Sequence, residues 1–369
     1  MRLVATALGV FLLGASAAMA AGEFTLSPRD CDAPSESSPV CLAPEPWSEA
    51  EAAGTLGTGT LAAIVRGDTL TVLARRARGP VSICCTIAAP LTRIGDSEYW
   101  AVSLKIYGMR RAALDFQAEP EGSDALSFIG PDVANVPTAP RLLGSLVEDT
   151  IDSTAMDSRR HLTVYLPPGH DSAQSYPVVY LADGATVRAF APAIEALIVT
   201  GRARPMIVVG LWPAQNDPRA RGREYLVGNS ASDYSHHSAF VFDEVMPFVE
   251  RRYGASARPQ DRVVAGFSDG AAWALSFGLR HTRDIGTICA FSLGWPAAAE
   301  GVDDDDRPRL YLAGGFLEPG FHRVTAEAAR RARSSRAPLL FEEFASGHAL
   351  IAWQAMLLDA LAWTFPRRP

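Results

Sequence analysis

Residues 262–271 read Arg262-Val263-Val264-Ala265-Gly266-Phe267-Ser268-Asp269-Gly270-Ala271. A short apolar run ends in Gly-x-Ser-x-Gly, and an alanine-rich stretch with helical character follows over 271–279. A strand that turns sharply into a helix around a serine forms a nucleophile elbow, in which the serine takes a strained backbone conformation and its close neighbours must be small. Gly266, Gly270 and Ala271 meet that demand. The turn also aims a helix N-terminus, with its positive end, at the place where an oxyanion would develop. Ser268 is the predicted nucleophile.

Working outward, strand-like apolar runs at 162–166, 178–181, 207–210, 262–266, 287–291 and 310–313 alternate with helical patterns. In one of these, Phe242, Met246, Val249 and Tyr253 share a face. Near-continuous apolar strands separated by helices predict a mostly parallel sheet covered on both sides, so 147–369 reads as an α/β domain. Upstream the period changes to two: Trp100, Val102, Leu104 and Ile106 alternate with Ala101, Ser103 and Lys105. No helical period shows over 56–120, which predicts a small β-sandwich. Residues 21–55 are rich in Pro, Ser, Glu and Ala and read as a loosely ordered lead-in, and 119–146 as a proline-rich linker. The expected division is 1–20, 21–146 and 147–369.

Composition limits the function. Of 369 residues, 48% are hydrophobic and 20% charged, which excludes wholesale disorder. A net charge of −7 without a Lys/Arg block excludes a nucleic-acid binder. The first 20 residues carry one early arginine, an apolar run and Ala18-Met19-Ala20, the pattern of a cleaved secretory signal. The apolar run is shorter than the ~20 residues that span a bilayer, so a secreted or periplasmic protein without a stable membrane span is expected. In that compartment Cys31 can pair with Cys41, or either of them with Cys84 or Cys85, because sequence does not fix connectivity, while Cys289 reads as a buried thiol.

A serine nucleophile on this architecture needs an acid and then a histidine downstream. His281 ends the elbow's own helix, about three turns from the serine and out of reach. His322 lies in a loop just before a helix. His348 follows the strand-like 339–344 and Ser346-Gly347, on the loop leaving the last strand, and is the expected base. The acid should end the preceding strand: Glu318 follows Gly314-Gly315 there. Asp303–Asp306 precede that strand, at the opposite end of the sheet, and read as a solvated loop, while Glu342 and Glu343 lie within the final strand. Glu318 would hold the imidazole tautomer and stabilise the imidazolium. The backbone N–H of Ala185, after the strand 178–182, and that of Asp269 are the expected oxyanion donors. Asp183, Arg223 and Glu224 are the candidates for substrate contact, with Arg223-Glu224 read first as an ion pair shaping the pocket.

With those residues placed, the second domain resembles the esterase family that includes esterase D, ferric-enterobactin esterases and mycobacterial mycolyltransferases. The matching stretches, in order, are Val164-Tyr165-Leu166-Pro167-Pro168-Gly169, Tyr176-Pro177-Val178-Val179-Tyr180-Leu181-Ala182-Asp183-Gly184, Arg223-Glu224-Tyr225, the helical 242–253 with Pro247, Gly266–Gly270, and Gly347-His348. The resemblance implies an α/β-hydrolase fold with a Ser268/Glu318/His348 triad, oxyanion donors at Ala185 and Asp269, and no metal or organic cofactor. Together with the leader at residues 1–20, it implies an exported serine esterase acting on a small-molecule, glycan or siderophore ester. An acyltransferase on the same triad, or a non-catalytic glycan- or partner-binding protein on that fold, are the alternatives. The sequence departs from the family at Asp269, where an uncharged side chain is usual. A carboxylate there is expected to repel an anionic acyl group or to favour the charged form of His348.

Overall fold

The computed structural model describes residues 24–25, 33–43, 45–119, 125–133, 141–295, 308–333 and 337–367. The signal segment, Cys31 and the Asp303–Asp306 run lie outside the described residues. The N-terminal strands are Phe24–Thr25 (β1), Val40–Leu42 (β2), Leu61–Arg66 (β3), Thr69–Arg75 (β4), Ser82–Cys85 (β5), Ile87–Pro90 (β6), Thr92–Arg93 (β7), Tyr99–Ile106 (β8), Ala112–Glu119 (β9) and Ala125–Ile129 (β10). They form two layers. The first has the order β2-β8-β4-β3 with β7 beside β8, and the second contains β1-β6-β5-β9 with β10 beside β9. Val72, Val102 and Leu104 of one layer pack on Ile83, Leu114 and Phe116 of the other in one core, the sandwich that the two-residue period predicts.

Two elements depart from the expected division. Helix Glu49–Leu56 (α1) lies in the stretch read as a loose lead-in. Its first turn is closed by a capping box: the Ser48 hydroxyl accepts from Glu51 N–H, and the Glu51 carboxylate accepts from Ser48 N–H. Ala52 and Leu56 of α1 bury against Leu73 and Trp47, on the other face of the first layer. Strand β10 lies in the expected linker and pairs with β9.

The α/β part contributes strands Ser145–Ser153 (β11), Ser158–Leu166 (β12), Val178–Ala182 (β13), Ile207–Leu211 (β14), Arg262–Phe267 (β15), Thr287–Phe291 (β16), Arg309–Gly315 (β17) and Leu339–Ser346 (β18). Their order is β11-β12-β14-β13-β15-β16-β17-β18, antiparallel for the first two pairings and parallel from β14 onward. Strand β18 also pairs in parallel with β9, so one sheet runs from the α/β part into the N-terminal layer. Helices Thr186–Val199 (α2) and Leu350–Thr364 (α8) bury one face of the sheet. Ala220–Tyr225 (α3), Ala231–Ala239 (α4), Met246–Tyr253 (α5), Asp269–Arg280 (α6) and Pro319–Ala332 (α7) follow in chain order, and α4 to α7 all bury residues in the core on the other face. The helix expected over 242–253 is divided: a π-helical turn, Phe240–Val245, joins α4 to α5. Pro247 carries no N–H to continue a regular ladder, and the wider turn takes up the difference.

Candidate active site

Strand β15 is buried along its whole length and ends at Phe267; α6 begins at Asp269. Between them Ser268 sits at φ 57° and ψ −125°, a conformation rare for a residue with a side chain. The tightness of the turn explains its glycines. A Cβ on Gly266 would stand 2.2 Å from the Gly270 carbonyl oxygen, and one on Gly270 would stand 2.8 Å from the Ala182 Cβ.

The Ser268 Oγ lies 3.1 Å from Nε2 of His348, which is on the loop after β18. The other ring nitrogen, Nδ1, lies 2.7 Å from Oε2 of Glu318, on the loop after β17. An ionised carboxylate only accepts, so Nδ1 carries the proton and Nε2 is free to accept from the serine hydroxyl. Glu318 is 4% exposed, and its second oxygen accepts from the Ser292 hydroxyl at 2.6 Å and from Gly315 N–H at 2.9 Å. The Trp353 indole N–H in turn donates to Ser292 Oγ at 2.9 Å. The His348 ring is stacked on Phe321 with centroids 3.9 Å apart, and Trp353 meets it edge-on at 4.7 Å. The imidazole is therefore fixed by packing as well as by its two hydrogen bonds. The other downstream histidines are engaged elsewhere: His281 stacks on Phe242, and His322 hydrogen bonds Glu343.

Ala185 and Asp269 occupy equivalent places. Ala185 caps α2 at the end of β13, and Asp269 opens α6 at the end of the neighbouring β15. The first N–H groups of a helix have no partner within it, so both helices offer donors at the same end of the sheet as Ser268.

The two carboxylates beside these donors share one cation. Arg221 on α3 donates from Nε and Nη2 to the two oxygens of Asp183, at 2.7 and 2.8 Å, and from Nη1 to Asp269 at 2.7 Å. Burial works against the charge of Arg221, yet the Asp183 and Asp269 carboxylates outweigh it and hold its pKa above the ordinary arginine value. Burial pushes the Asp269 carboxyl up, with Arg221 opposing. The unusual acid after Ser268 is thus an ion-paired group. Asp183 takes φ 60°, and its N–H donates to the Tyr225 hydroxyl, which donates to the Leu211 carbonyl.

Arg223 and Glu224 do not pair with each other. Adjacent residues of a helix point in different directions, whereas residues four apart share a face. Glu224 is buried in a two-pronged ion pair with Arg160, at 3.0 and 2.6 Å, and Arg223 binds Asp217 and Asp233. These arrangements correct the expected Arg223–Glu224 pair and leave Glu224 without a free face for substrate. Arg221, with Tyr225 four residues on, presents the face that reaches the elbow. His236 and His237 lie on α4, and His237 is wholly buried with neither ring nitrogen hydrogen bonded. Burial, with Arg160 adding to it, drives its pKa down to about 3. Cys41 is disulfide-bonded, and Cys289 is buried, its thiol pushed up to about 12. No described helix is long and apolar enough to cross a membrane.

Comparison with known proteins bears on this site. The model of a family described as putative esterase matches residues 153–364, more than half of the chain. Among solved structures, the enterobactin esterase of Shigella flexneri is similar at 17% identity over 86% of this chain and 98% of its own, with a TM-score of 0.66. The ferric enterobactin esterase of Salmonella typhimurium is similar at 15% identity over 83% of this chain and 96% of its own, TM-score 0.67. A ferulic acid esterase of Anaeromyces mucronatus is 18% identical over 63% of this chain and 96% of its own, TM-score 0.50. At such identities the likeness is one of fold.

Proposed function

The chain belongs to the putative esterase family and is a carboxylic-ester hydrolase, and from that premise we propose that it is an exported serine esterase working through Ser268, His348 and Glu318. The observation that carries this reading is the hydrogen-bonded chain from Ser268 Oγ through both nitrogens of His348 to Glu318, set at a strained elbow. Ser268 Oγ attacks the ester carbonyl while His348 Nε2 takes its proton. The N–H groups of Asp269 and Ala185 receive the oxyanion, in line with their places at two helix N-termini. His348 then protonates the departing alcohol. Water, activated by the same nitrogen, attacks the acyl-serine and releases the acid. Glu318 stays ionised throughout and stabilises the imidazolium.

Export rests on the leader pattern of residues 1–20. It fits an ester met outside the cytoplasm, either a small molecule or an acyl group carried by a glycan. The similar structures named for enterobactin and ferulic acid make esters that carry aromatic groups the first class to try. The test is hydrolysis of a p-nitrophenyl ester series by the mature protein and by Ser268→Ala, with fluorophosphonate labelling of both. Turnover and labelling that vanish in Ser268→Ala are expected. Turnover that survives in it would refute the acyl-enzyme.

A further inference from the structure

The loops that carry Glu318 and His348 rest on the N-terminal β-layers. Leu317, next to Glu318, and Ala345, three residues before His348, are both 1% exposed and belong to the same core as Leu70, Leu104, Leu114 and Phe116. Strand β18 pairs with β9 only at its end, Ala345 with Ala112 and Ser346 with Ala113, immediately before the base. The next residue, Gly347, faces Thr86: a Cβ at Gly347 would stand 3.1 Å from the Thr86 Cγ2. Thr86 is itself fixed. It is 3% exposed, its Oγ1 accepts from Asp115 N–H at 2.9 Å, and its own N–H donates to the Asp115 carbonyl. The two loops are tied to each other as well, through Leu317 N–H to the Ser346 carbonyl at 3.0 Å. On the acid's side, the Tyr107 ring meets Phe316 edge-on at 4.9 Å.

From these contacts we propose that the N-terminal β-layers are a positioning element for the catalytic acid and base, acting on His348 through Thr86 and Gly347. The α/β part supplies the nucleophile and both helix N-termini from its own core. The acid and base loops leave the sheet where β17 and β18 adjoin the N-terminal layer, and residues of that layer pack against them. The Ser268–His348 hydrogen bond is 3.1 Å, near the long end of the useful range, so a shift of a few tenths of an ångström in the base weakens it. Thr86 and Gly347 touch no reacting atom; they act through the position of the imidazole. The inference rests on the serine-esterase reading above.

The contact allows a compensation test in the full-length mature protein. Gly347 does not occupy the left-handed region, and the Cβ of Gly347→Ala is crowded by the Thr86 methyl at 3.1 Å, while the Thr86 Cα at 3.7 Å is in ordinary contact. Displacing the base should lower kcat about tenfold with KM within about twofold, given that a 1 Å misplacement costs on the order of 100-fold. Thr86→Ser removes that methyl, keeps the acceptor for Asp115 and should leave kcat within about twofold of wild type. The double variant should recover to within about threefold of wild type. Wild-type kcat in Gly347→Ala, or a double variant no faster than Gly347→Ala, would overturn the proposal. Should Gly347→Ala fold poorly, Thr86→Val displaces the same loop by removing the acceptor. It should lower kcat severalfold with KM unchanged, and an unchanged kcat would count against the proposal. A wild-type protein without ester turnover would instead count against the serine-esterase reading.

Discussion

Arg221→Met is the substitution whose effect follows most directly from the site. It leaves the carboxylates of Asp183 and Asp269, with side chains 14% and 10% exposed, without the guanidinium that now joins them. Removing one partner of a buried ion pair costs about 3–5 kcal/mol. The guanidinium is one-fifth exposed, and solvent screening brings the expected loss to about 2–4 kcal/mol. The sign of its pH dependence can be worked out. Burial already raises the Asp269 carboxyl above 3.8, and loss of Arg221 removes the largest opposing influence. A carboxyl whose folded pKa is raised contributes stability that is fully present below its unfolded pKa and lost as pH rises through the folded value. The variant should therefore be weakest at neutral pH and recover toward wild type at an acidic pH below the raised Asp269 value. Urea unfolding followed by tryptophan fluorescence at both pH values measures this. Activity should fall too, because Arg221 fixes the side chains of Asp269 and Asp183, beside both proposed oxyanion donors. Loss of one such donor costs about 100- to 1000-fold in kcat, and a misplaced donor should cost about 100-fold with little change in KM. Adding Asp183→Asn and Asp269→Asn should restore most of the stability. A loss below about 1 kcal/mol, or one independent of pH, would show that the three charges are separately solvated and refute the reasoning.

Two further outcomes can be measured on the same footing. His237 has a folded pKa of about 3 against an ordinary 6.5, so its contribution to stability is present above 6.5 and lost as the pH falls toward 3. Wild type should lose about 1.4 kcal/mol per pH unit across that window through this residue, and His237→Phe, which suits the surrounding Tyr225, Phe240 and Trp273 rings, should remove that slope. Parallel stability–pH lines for the two proteins would exclude a buried neutral imidazole. Ser292→Ala strips Glu318 of a 2.6 Å hydrogen bond and leaves the Trp353 indole N–H unmatched, which should cost about 1–3 kcal/mol of stability. Its kcat should drop about tenfold at constant KM as Glu318 loosens, and an unchanged kcat would mean that Gly315 and His348 alone hold the acid.

The parts of this protein that were legible in its sequence are those whose physical demands fall on neighbouring residues. The elbow needs small residues within two positions of Ser268, and a reader can see them. The buried parallel strands announce themselves by unbroken apolar runs, and Glu318 and His348 could be nominated because each follows such a run by only a few residues. The capping box of α1 was equally local: Ser48 and Glu51 stand in plain view, and the Pro- and Ser-rich surroundings concealed the helix whose start those two residues close. What stayed hidden depends on distance along the chain. Ser292 acquires its place by touching Glu318, 26 residues on, and Trp353, 61 residues on. Arg221 could be told from Arg223 only after a short helix was known to run through both, since it is the helical period that turns one toward the elbow and the other toward Asp217 and Asp233. The junction of β9 with β18 was the least readable feature of all. A two-residue period shows that a strand is half buried, and it says nothing of which edge finds a partner. That pairing makes the N-terminal layer part of the same sheet as β15, the strand that ends at the Ser268 turn. A boundary drawn at residue 146 from the change of hydrophobic period therefore runs between strands that hydrogen bonds join, and the loop bearing His348 lies at the join.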